Sequence, residues 1–139
     1  YSKLKGVNIS SSYSSRMIDE YPILAIAAAV ASGKTKLRGL AELRHKESDR
    51  FKAIINGLES CGIKVESEND DIIIYGNNKI LGGTTIDCNH DHRVAMSFMI
   101  LGALSLKPIK VIGCKSIATS YPTFVSDMNC LGMDIRSND

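Results

Sequence analysis

The sequence predicts an α+β or α/β fold with helices packed against sheets, because one order of elements occurs twice. Each pass consists of a buried helix, a strand, a polar loop, an amphipathic helix and another strand. The ends of the passes also match, LESCGIKV against MNCLGMDI. Such self-similarity indicates a duplicated unit, with approximate units at residues 17–80 and 84–139. The chain of 139 residues, 44% of them hydrophobic, fits one packed domain.

The first pass follows a serine-rich opening. Lys5-Gly6 is typical of a strand or turn, and a loop is predicted through Ser15. The following stretch, DEYPILAIAAAVASG, is apolar on nearly every face and predicts a buried helix. Asp19 is placed to cap this helix, Pro22 lies in its first turn and Gly33 ends it.

An amphipathic helix is predicted from Glu47 or Ser48 to Gly62. Its apolar positions form one stripe: Phe51, Ile54, Ile55, Leu58 and Cys61. A strand is expected before this helix, at residues 35–38. Two more are expected after it, at residues 63–65 and 72–75, joined by the acidic turn SENDD.

The second pass begins after turns at residues 77–78 and 82–83. Its elements are a strand at 85–87, an almost wholly apolar helix at 91–104, a strand at 109–112 and an amphipathic helix from about Ser120 to Gly132. In each pass a polar motif lies between a strand and the amphipathic helix, RHKESDR in one and SIATSYP in the other. Loops in such positions commonly carry binding residues.

Composition and charge exclude several classes of function. A net charge of +2 and a pI of about 8.4 are too mild to indicate a nucleic-acid or membrane-surface partner. The longest apolar stretch, residues 21–31, is too short to cross a bilayer. The chain starts at Tyr1 without a signal-peptide pattern, and we expect a piece of a longer, cytoplasmic protein.

The four cysteines are widely spaced: Cys61, Cys88, Cys114 and Cys130. The absence of a CxxC pair favours reduced, partly buried thiols over a disulfide framework. Cys88-x-His90-x-His92 resembles half of a metal site, but the chain offers no second ligand cluster, so we expect no metal.

Three charged motifs fall at predicted helix starts, where unpaired N–H groups favour anions. Lys46, Glu47 and Arg50 belong to KESDR, Arg93 to DHR, and Asp19 precedes the first buried helix. Arginine and lysine suit a small substrate with carboxylate and phosphate groups, and two carboxyl groups could share proton delivery and removal.

Each motif also has a structural alternative. KESDR could be a solvated helix start with a Glu47–Arg50 ion pair. Asp91 could cap its helix with His92 hydrogen-bonded nearby, and Asp19 could be an ordinary N-cap. The sequence leaves these alternatives open.

Four ordered motifs resemble a known family. MIDEYP at residues 17–22, GLAELRHKESDR at 39–50, DHRVAMS at 91–97 and ATSYPTF at 118–124 are similar to signatures of the 3-phosphoshikimate 1-carboxyvinyltransferase (EPSP synthase) family. The resemblance extends from LKGV near the start to the closing LGMDI and covers only the C-terminal portion of such an enzyme.

This resemblance implies transfer of the enolpyruvyl group of phosphoenolpyruvate to the 5-hydroxyl of shikimate 3-phosphate, with release of phosphate and without a cofactor or metal. Asp19 matches the proton acceptor, which also contacts shikimate 3-phosphate, and Lys46 matches a lysine at the same substrate. Glu47 matches the carboxyl group that works with Lys46 to protonate the methylene of phosphoenolpyruvate. Arg50 and Arg93 match the arginines that bind phosphoenolpyruvate.

Two positions depart from the family pattern, and a third is variable. Thr119 stands where some members carry a lysine that contacts phosphate, and Glu42 stands where some carry an asparagine that contacts substrate. His45 is variable in the motif. None of the three is predicted to bind substrate.

The resemblance also implies an architecture of repeated βαβαββ units, with the active site in a cleft between two domains. This chain would be a partial domain of two units, and the missing N-terminal portion would supply the opposite wall. The chain alone is therefore expected to be inactive.

Three other functions remain as alternatives to this one. They are a related UDP-N-acetylglucosamine enolpyruvyl transferase, a non-catalytic remnant or split-gene piece, and an unrelated ligand-binding module in which Asp19, Glu47 and Arg93 do not converge.

Overall fold

The first half of the chain forms a four-stranded mixed sheet. The structure, a computed structural model, describes residues 3–137; the two residues at each end of the predicted domain lie outside the described residues. The strands are β1 (Asn8–Ile9), β2 (Lys34–Leu37), β3 (Lys64–Glu68) and β4 (Asp71–Tyr75), in the spatial order β1-β2-β4-β3. β1 is parallel to β2, and β4 is antiparallel to both β2 and β3. The mixture of helices and sheet confirms the predicted fold class.

The opening segment is more ordered than predicted. A 3₁₀ turn at Ser11–Tyr13 and a short helix α1 (Ser14–Met17) replace the expected loop. Serine side chains make this turn possible, because the hydroxyl of Ser10 accepts a hydrogen bond from the Ser12 N–H. The loop prediction through Ser15 was wrong at these residues.

The first buried helix, α2 (Tyr21–Val30), follows a 3₁₀ turn at Ile18–Glu20. Pro22 lies in its first turn, as predicted. The prediction of Asp19 as the cap was wrong: Glu20 occupies the N-cap position without a side-chain cap, and the Asp19 carboxylate turns to Arg50 instead. A cation that reaches Asp19 from elsewhere in the fold outcompetes the local backbone N–H groups for this carboxylate.

The amphipathic helix α3 (Arg50–Ser60) begins two or three residues later than predicted. Asp49 is its N-cap and accepts a hydrogen bond from the Lys52 N–H at 3.0 Å. Lys46, Glu47 and Ser48 therefore lie in a bend before the helix. The predicted stripe is buried at Phe51, Ile54, Leu58 and Cys61 and half-buried at Ile55.

The second half contains two short parallel strand pairs. β5 (Ile80–Gly82) pairs with β7 (Ser105–Lys107), and β6 (Thr85–Asp87) pairs with β8 (Lys110–Ile112). The helix α4 (His92–Gly102) connects β6 to β7. The strand at residues 85–87 and the apolar helix were predicted, whereas β5 and β7 were not. β5 lies between the turn signals Asn77-Asn78 and Gly82-Gly83, and β7 follows the apolar helix directly, so neither strand stands out from its neighbours in the sequence.

The final predicted helix is shorter than expected, and a separate short helix ends where it was predicted to begin. α5 (Ile117–Ser120) and α6 (Phe124–Cys130) are separated at Tyr121-Pro122, where Tyr121 lies outside the helical region with φ −146° and ψ 77°. Proline disfavours the helical conformation of the preceding residue, so one continuous helix from Ser120 to Gly132 cannot form.

The core lies between the sheet and three packed helices. Buried and more exposed residues alternate along β2 and β4, and the buried ones include Leu37, Ile72 and Ile74. α3 and α4 approach so closely that a Cβ on Gly57 would lie 2.2 Å from the Phe98 ring. This packing brings the starts of α2, α3 and α4 to one region of the surface. Within residues 3–137, no helix combines the length and apolarity required to cross a membrane.

Candidate active site

Arg50, the first residue of α3, lies at the centre of the candidate site. Its side chain is fully buried, and each of its three nitrogens donates a hydrogen bond to a different carboxylate. Nε donates to Asp91 at 2.7 Å, Nη1 to Asp19 at 2.8 Å and Nη2 to Glu47 at 2.6 Å. The guanidinium thus joins the starts of α2, α3 and α4.

The charge of Arg50 is secured by these contacts. Burial by itself would lower the pKa of the guanidinium, but the hydrogen bonds to Asp91 and Asp19 outweigh this effect and raise the pKa above its ordinary value. Arg50 is therefore a permanent cation of the site.

Asp19 lies among cations with its side chain 46% exposed. The hydrogen bond from Arg50 is the main cause that holds the pKa of Asp19 below its ordinary value, and partial burial opposes it. The charges of Arg93, Arg50 and Lys46 lower the pKa further. Asp19 is consequently ionised at neutral pH, which is the state that a proton acceptor requires.

Arg93 lies in the first turn of α4, and its guanidinium contacts Asp19 and Glu20. Its Nη1 donates to the Asp19 carbonyl at 3.1 Å and to the Glu20 carboxylate at 3.2 Å, and its Nη2 lies 4.0 Å from Oδ2 of Asp19. Its side chain is 34% exposed, so a ligand can reach it.

Lys46 and Glu47 lie at the open side of the cluster. Glu47 is 55% exposed and is tied to Arg50 by the predicted i,i+3 ion pair. Lys46 is half-buried and contributes to the lowered pKa of Asp19. The ammonium of Lys46 forms no direct hydrogen bond or ion pair with any of the described residues. It is therefore free to bind an anionic ligand.

Asp91 caps α4, as one of the alternatives predicted. Its Oδ1 accepts hydrogen bonds from the backbone N–H groups of Arg93 and Val94. Its pairing with Arg50, and the hydrogen bond that it accepts from Ser48, were not predicted. The only signal in the sequence was an acidic residue directly before an apolar helix, which predicts a cap and no distant partner.

The structure therefore brings Asp19, Lys46, Glu47, Arg50 and Arg93 together. The alternative of an unrelated ligand-binding module predicted that Asp19, Glu47 and Arg93 would lie apart, and this prediction was wrong. Three residues of the motifs lie outside the cluster: Glu42 and His45 are exposed, and the exposed Thr119 donates its hydroxyl to the Ser116 carbonyl. Sequence reasoning missed Glu20, the partner of Arg93, because two adjacent acidic residues gave no sign of which would face the cation.

A cavity of about 190 Å³ adjoins the cluster between α2, α4 and the segment before α6. Asp19, Glu20 and Arg93 form its polar end, and Ile23, Met96, Ile100 and Phe124 contribute apolar walls. Arg93 thus borders an accessible space.

None of the hydrogen bonds and ion pairs described for the cluster involves a cysteine side chain. Within residues 3–137, no group of three or more His, Cys, Asp or Glu side chains is arranged to hold a metal ion. The thiol of Cys88 is buried and donates to the Ile112 carbonyl, and burial is the main cause that raises its pKa to about 12. All four cysteines are free thiols.

Comparison with solved structures identifies the fold as that of enolpyruvyl transferases. The enolpyruvyl transferase NikO from Streptomyces tendae superposes with a TM-score of 0.73 at 23% identity, covering 96% of this chain and 29% of that one. This likeness concerns the fold alone. An EPSP synthase from Acinetobacter baumannii superposes with a TM-score of 0.91 at 42% identity, covering 96% of this chain and 32% of that one.

Sequence comparison is more specific. The profile of the family described as EPSP synthase (3-phosphoshikimate 1-carboxyvinyltransferase) matches residues 2–128. The chain belongs to the EPSP synthase family, which confirms the resemblance of its motifs.

Two relatives show how much of such a protein is present. The 3-phosphoshikimate 1-carboxyvinyltransferase of Paramagnetospirillum magneticum is 48% identical over 139 residues, which are 99% of this chain and 31% of that protein. The protein of the same name from Legionella pneumophila is 44% identical over 136 residues, 98% of this chain and 31% of that protein. The chain therefore spans about 31% of the length of these relatives.

Proposed function

We propose that this chain forms one wall of an active site that transfers the enolpyruvyl group of phosphoenolpyruvate to the 5-hydroxyl of shikimate 3-phosphate. The observation that carries the proposal is that Asp19 and Glu47 both accept hydrogen bonds from the guanidinium of Arg50, while Arg93 lies against the same Asp19. Family membership supplies the substrates, and the cluster supplies cations for their anionic groups and carboxyl groups for proton transfer.

The two substrates make different demands on the cluster. Arg50 and Arg93 bind phosphoenolpyruvate, whose carboxylate matches the planar fork of a guanidinium. Lys46 and Asp19 face shikimate 3-phosphate, where the lysine supplies a compact positive charge and the aspartate accepts a hydrogen bond. Lys46 suits this role because its positive charge already acts on Asp19 and its ammonium makes no direct contact among the described residues.

The buried state of Arg50 has a consequence for binding. Three of its five N–H groups donate to carboxylates and its side chain is fully buried, so the carboxylate of phosphoenolpyruvate reaches it only by displacing one of these three groups. The replaced group is Glu47: Asp91 is fully buried and Asp19 also lies against Arg93, whereas the side chain of Glu47 is 55% exposed and can turn away from Arg50. Binding then releases the Glu47 carboxyl group beside the substrate that it is to protonate.

Proton transfer accompanies the bond changes. The 5-hydroxyl oxygen bonds to C2 of phosphoenolpyruvate and gives its proton to Asp19, while Glu47, with Lys46, delivers a proton to the methylene carbon. Loss of phosphate and removal of a proton from the resulting methyl group restore the double bond. General acid–base steps of this kind contribute about 10²–10⁴-fold each to the rate.

The remaining two thirds of such an enzyme are a necessary partner of this chain in the proposal. Relatives are about three times as long, and the cluster borders an open space on its solvent side. We therefore expect the chain alone to release no phosphate. The cytoplasm is the proposed location, and the four free thiols are consistent with a reducing compartment.

A chimera tests the proposal. This chain replaces the corresponding segment of the Paramagnetospirillum magneticum relative, and phosphate release is measured with both substrates present. We expect substrate-dependent release from the chimera and none from the 139-residue chain alone.

The matched variants are Glu47→Gln and Glu59→Gln, since Glu59 is an exposed residue at the far end of α3. Glu47→Gln should lower kcat about 10²-fold or more, and Glu59→Gln should leave it unchanged. Equal rates for the two variants would contradict the role of Glu47. A folded but inactive chimera would favour a non-catalytic piece, and activity with UDP-N-acetylglucosamine in place of shikimate 3-phosphate would favour the related transferase.

A further inference from the structure

Asp91 is the one fully buried carboxylate in the cluster, and every hydrogen-bonding position of its two oxygens is occupied. Oδ1 accepts from the backbone N–H groups of Arg93 at 3.0 Å and Val94 at 3.3 Å. Oδ2 accepts from Nε of Arg50 at 2.7 Å and from the hydroxyl of Ser48 at 3.1 Å. With two lone pairs on each oxygen, Asp91 has no capacity left for a ligand. Its role must therefore be exerted through its neighbours.

We propose that Asp91 is a positioning residue that fixes Arg50 and Arg93 relative to each other for a shared anionic ligand. The proposal rests on the proposed function above, in which phosphoenolpyruvate is that ligand. It adds to that function a residue that never contacts the substrate.

The three carboxylates bonded to Arg50 differ in their exposure to solvent. Asp19 and Glu47 hold the two Nη atoms with side chains that are 46% and 55% exposed, whereas Asp91 holds Nε with a side chain that is 0% exposed. Exposed partners can exchange with a ligand and with water, but a buried one cannot without leaving an unpaired charge. Asp91 therefore keeps Nε in place and leaves the two Nη groups directed toward the ligand side.

The same carboxylate also fixes Arg93. By capping α4 it sets the position of the first helical turn, which carries Arg93, while its other oxygen holds the first residue of α3. Arg50 and Asp91, 41 positions apart in the chain, are thus joined directly, and the same carboxylate holds the backbone of Arg93. A ligand that contacts both arginines should depend on Asp91, whereas a ligand at Lys46 should not.

The test uses Asp91→Asn in the chimera. Asparagine is as good an N-cap as aspartate, so the backbone bonds of α4 are retained. Its amide NH₂ group, however, faces the Nε–H of Arg50, and two donors cannot pair. We expect the KM for phosphoenolpyruvate to rise about tenfold or more, since misplacement of a binding group by about 1 Å can have such an effect. The KM for shikimate 3-phosphate should change less than about twofold.

Asp49→Asn is the matched control. Asp49 is also an N-cap and also loses its charge, but it caps α3 and pairs with Lys52 rather than Arg50. Both KM values should be unchanged in this variant. Ser48→Ala removes one hydrogen bond from Asp91 and serves if Asp91→Asn fails to fold, with a smaller rise confined to the KM for phosphoenolpyruvate.

A side-chain NMR measurement separates this proposal from the proposed function, because it requires no activity. In the unmodified protein the Nε–H of Arg50 should give a protected resonance, shifted downfield by the buried carboxylate. In Asp91→Asn that resonance should lose its protection, while Asp49→Asn retains it. An inactive chimera with this NMR result refutes the proposed function only. A folded Asp91→Asn variant with an unchanged Arg50 resonance, or with both KM values altered equally, overturns the positioning role.

Discussion

Replacement of Arg50 by methionine is the most direct test of the charged cluster. Methionine has a similar length and fills the space, but it leaves Asp91 buried without a cation. Removing one partner of a buried ion pair typically costs about 3–5 kcal/mol, because the other charge remains unpaired. The contacts to Asp19 and Glu47 add little, since pairs with exposed carboxylates contribute about 0–1 kcal/mol each.

The expected loss lies near the lower limit of that range. Asp91 retains three donors after the substitution: the hydroxyl of Ser48 and the backbone N–H groups of Arg93 and Val94. We therefore expect the free energy of unfolding to fall by about 3 kcal/mol. With a urea m-value of about 1.5 kcal/mol/M, this loss lowers the unfolding midpoint by about 2 M.

Urea unfolding of the 139-residue chain, followed by circular dichroism, measures this loss. Arg93→Met is the control, because Arg93 is 34% exposed and its carboxylate partner Glu20 is 59% exposed. That variant should lose no more than about 1 kcal/mol. If Arg50→Met were no more destabilising than Arg93→Met, Arg50 would not be the buried centre of the cluster.

Two further substitutions test the packing around the site. Gly57→Ala would gain about 1 kcal/mol of helix propensity, but its Cβ would lie 2.2 Å from the buried Phe98 ring, and overpacking costs about 1–3 kcal/mol. Net destabilisation in urea is expected, and an increase in stability would show that α3 and α4 are not in close contact. Tyr21→Phe removes a buried hydroxyl that has no hydrogen-bond partner among the described residues, so we expect a gain of about 1 kcal/mol and a higher Tm in thermal unfolding. A loss of stability would instead reveal a partner for that hydroxyl.

Elements with a strong local signal were predictable from the sequence. The apolar stripe of α3, the uniformly apolar α2 and α4, and the strand at residues 85–87 all follow from hydrophobic patterns that extend over a few residues. The cap of α4 by Asp91 was predictable for the same reason, since a cap bonds to N–H groups within three residues. The short strands β5 and β7 were missed because each depends on its partner across the sheet rather than on its own pattern.

The residue types of the charged cluster were predictable, but its contacts were not. KESDR and DHR at helix starts, together with the resemblance of the ordered motifs, were sufficient to select Asp19, Lys46, Glu47, Arg50 and Arg93. Their assignment to one cluster required the fold. Asp19 shows the difference most clearly. A local rule predicted that its carboxylate caps a helix, but in the structure that carboxylate accepts a hydrogen bond from Arg50, 31 residues away.

The sequence by itself determined the secondary structure of the main elements and the family, and it predicted an anionic ligand. Only the tertiary structure decided that Arg50 is fully buried, that three carboxylates share it and that Asp91 joins the two arginines. The physical reason is the range of the forces involved. Helix caps and apolar periodicity act between near neighbours in the chain, whereas a buried charge is paired with whichever opposite charge the packing of distant helices places within hydrogen-bonding distance.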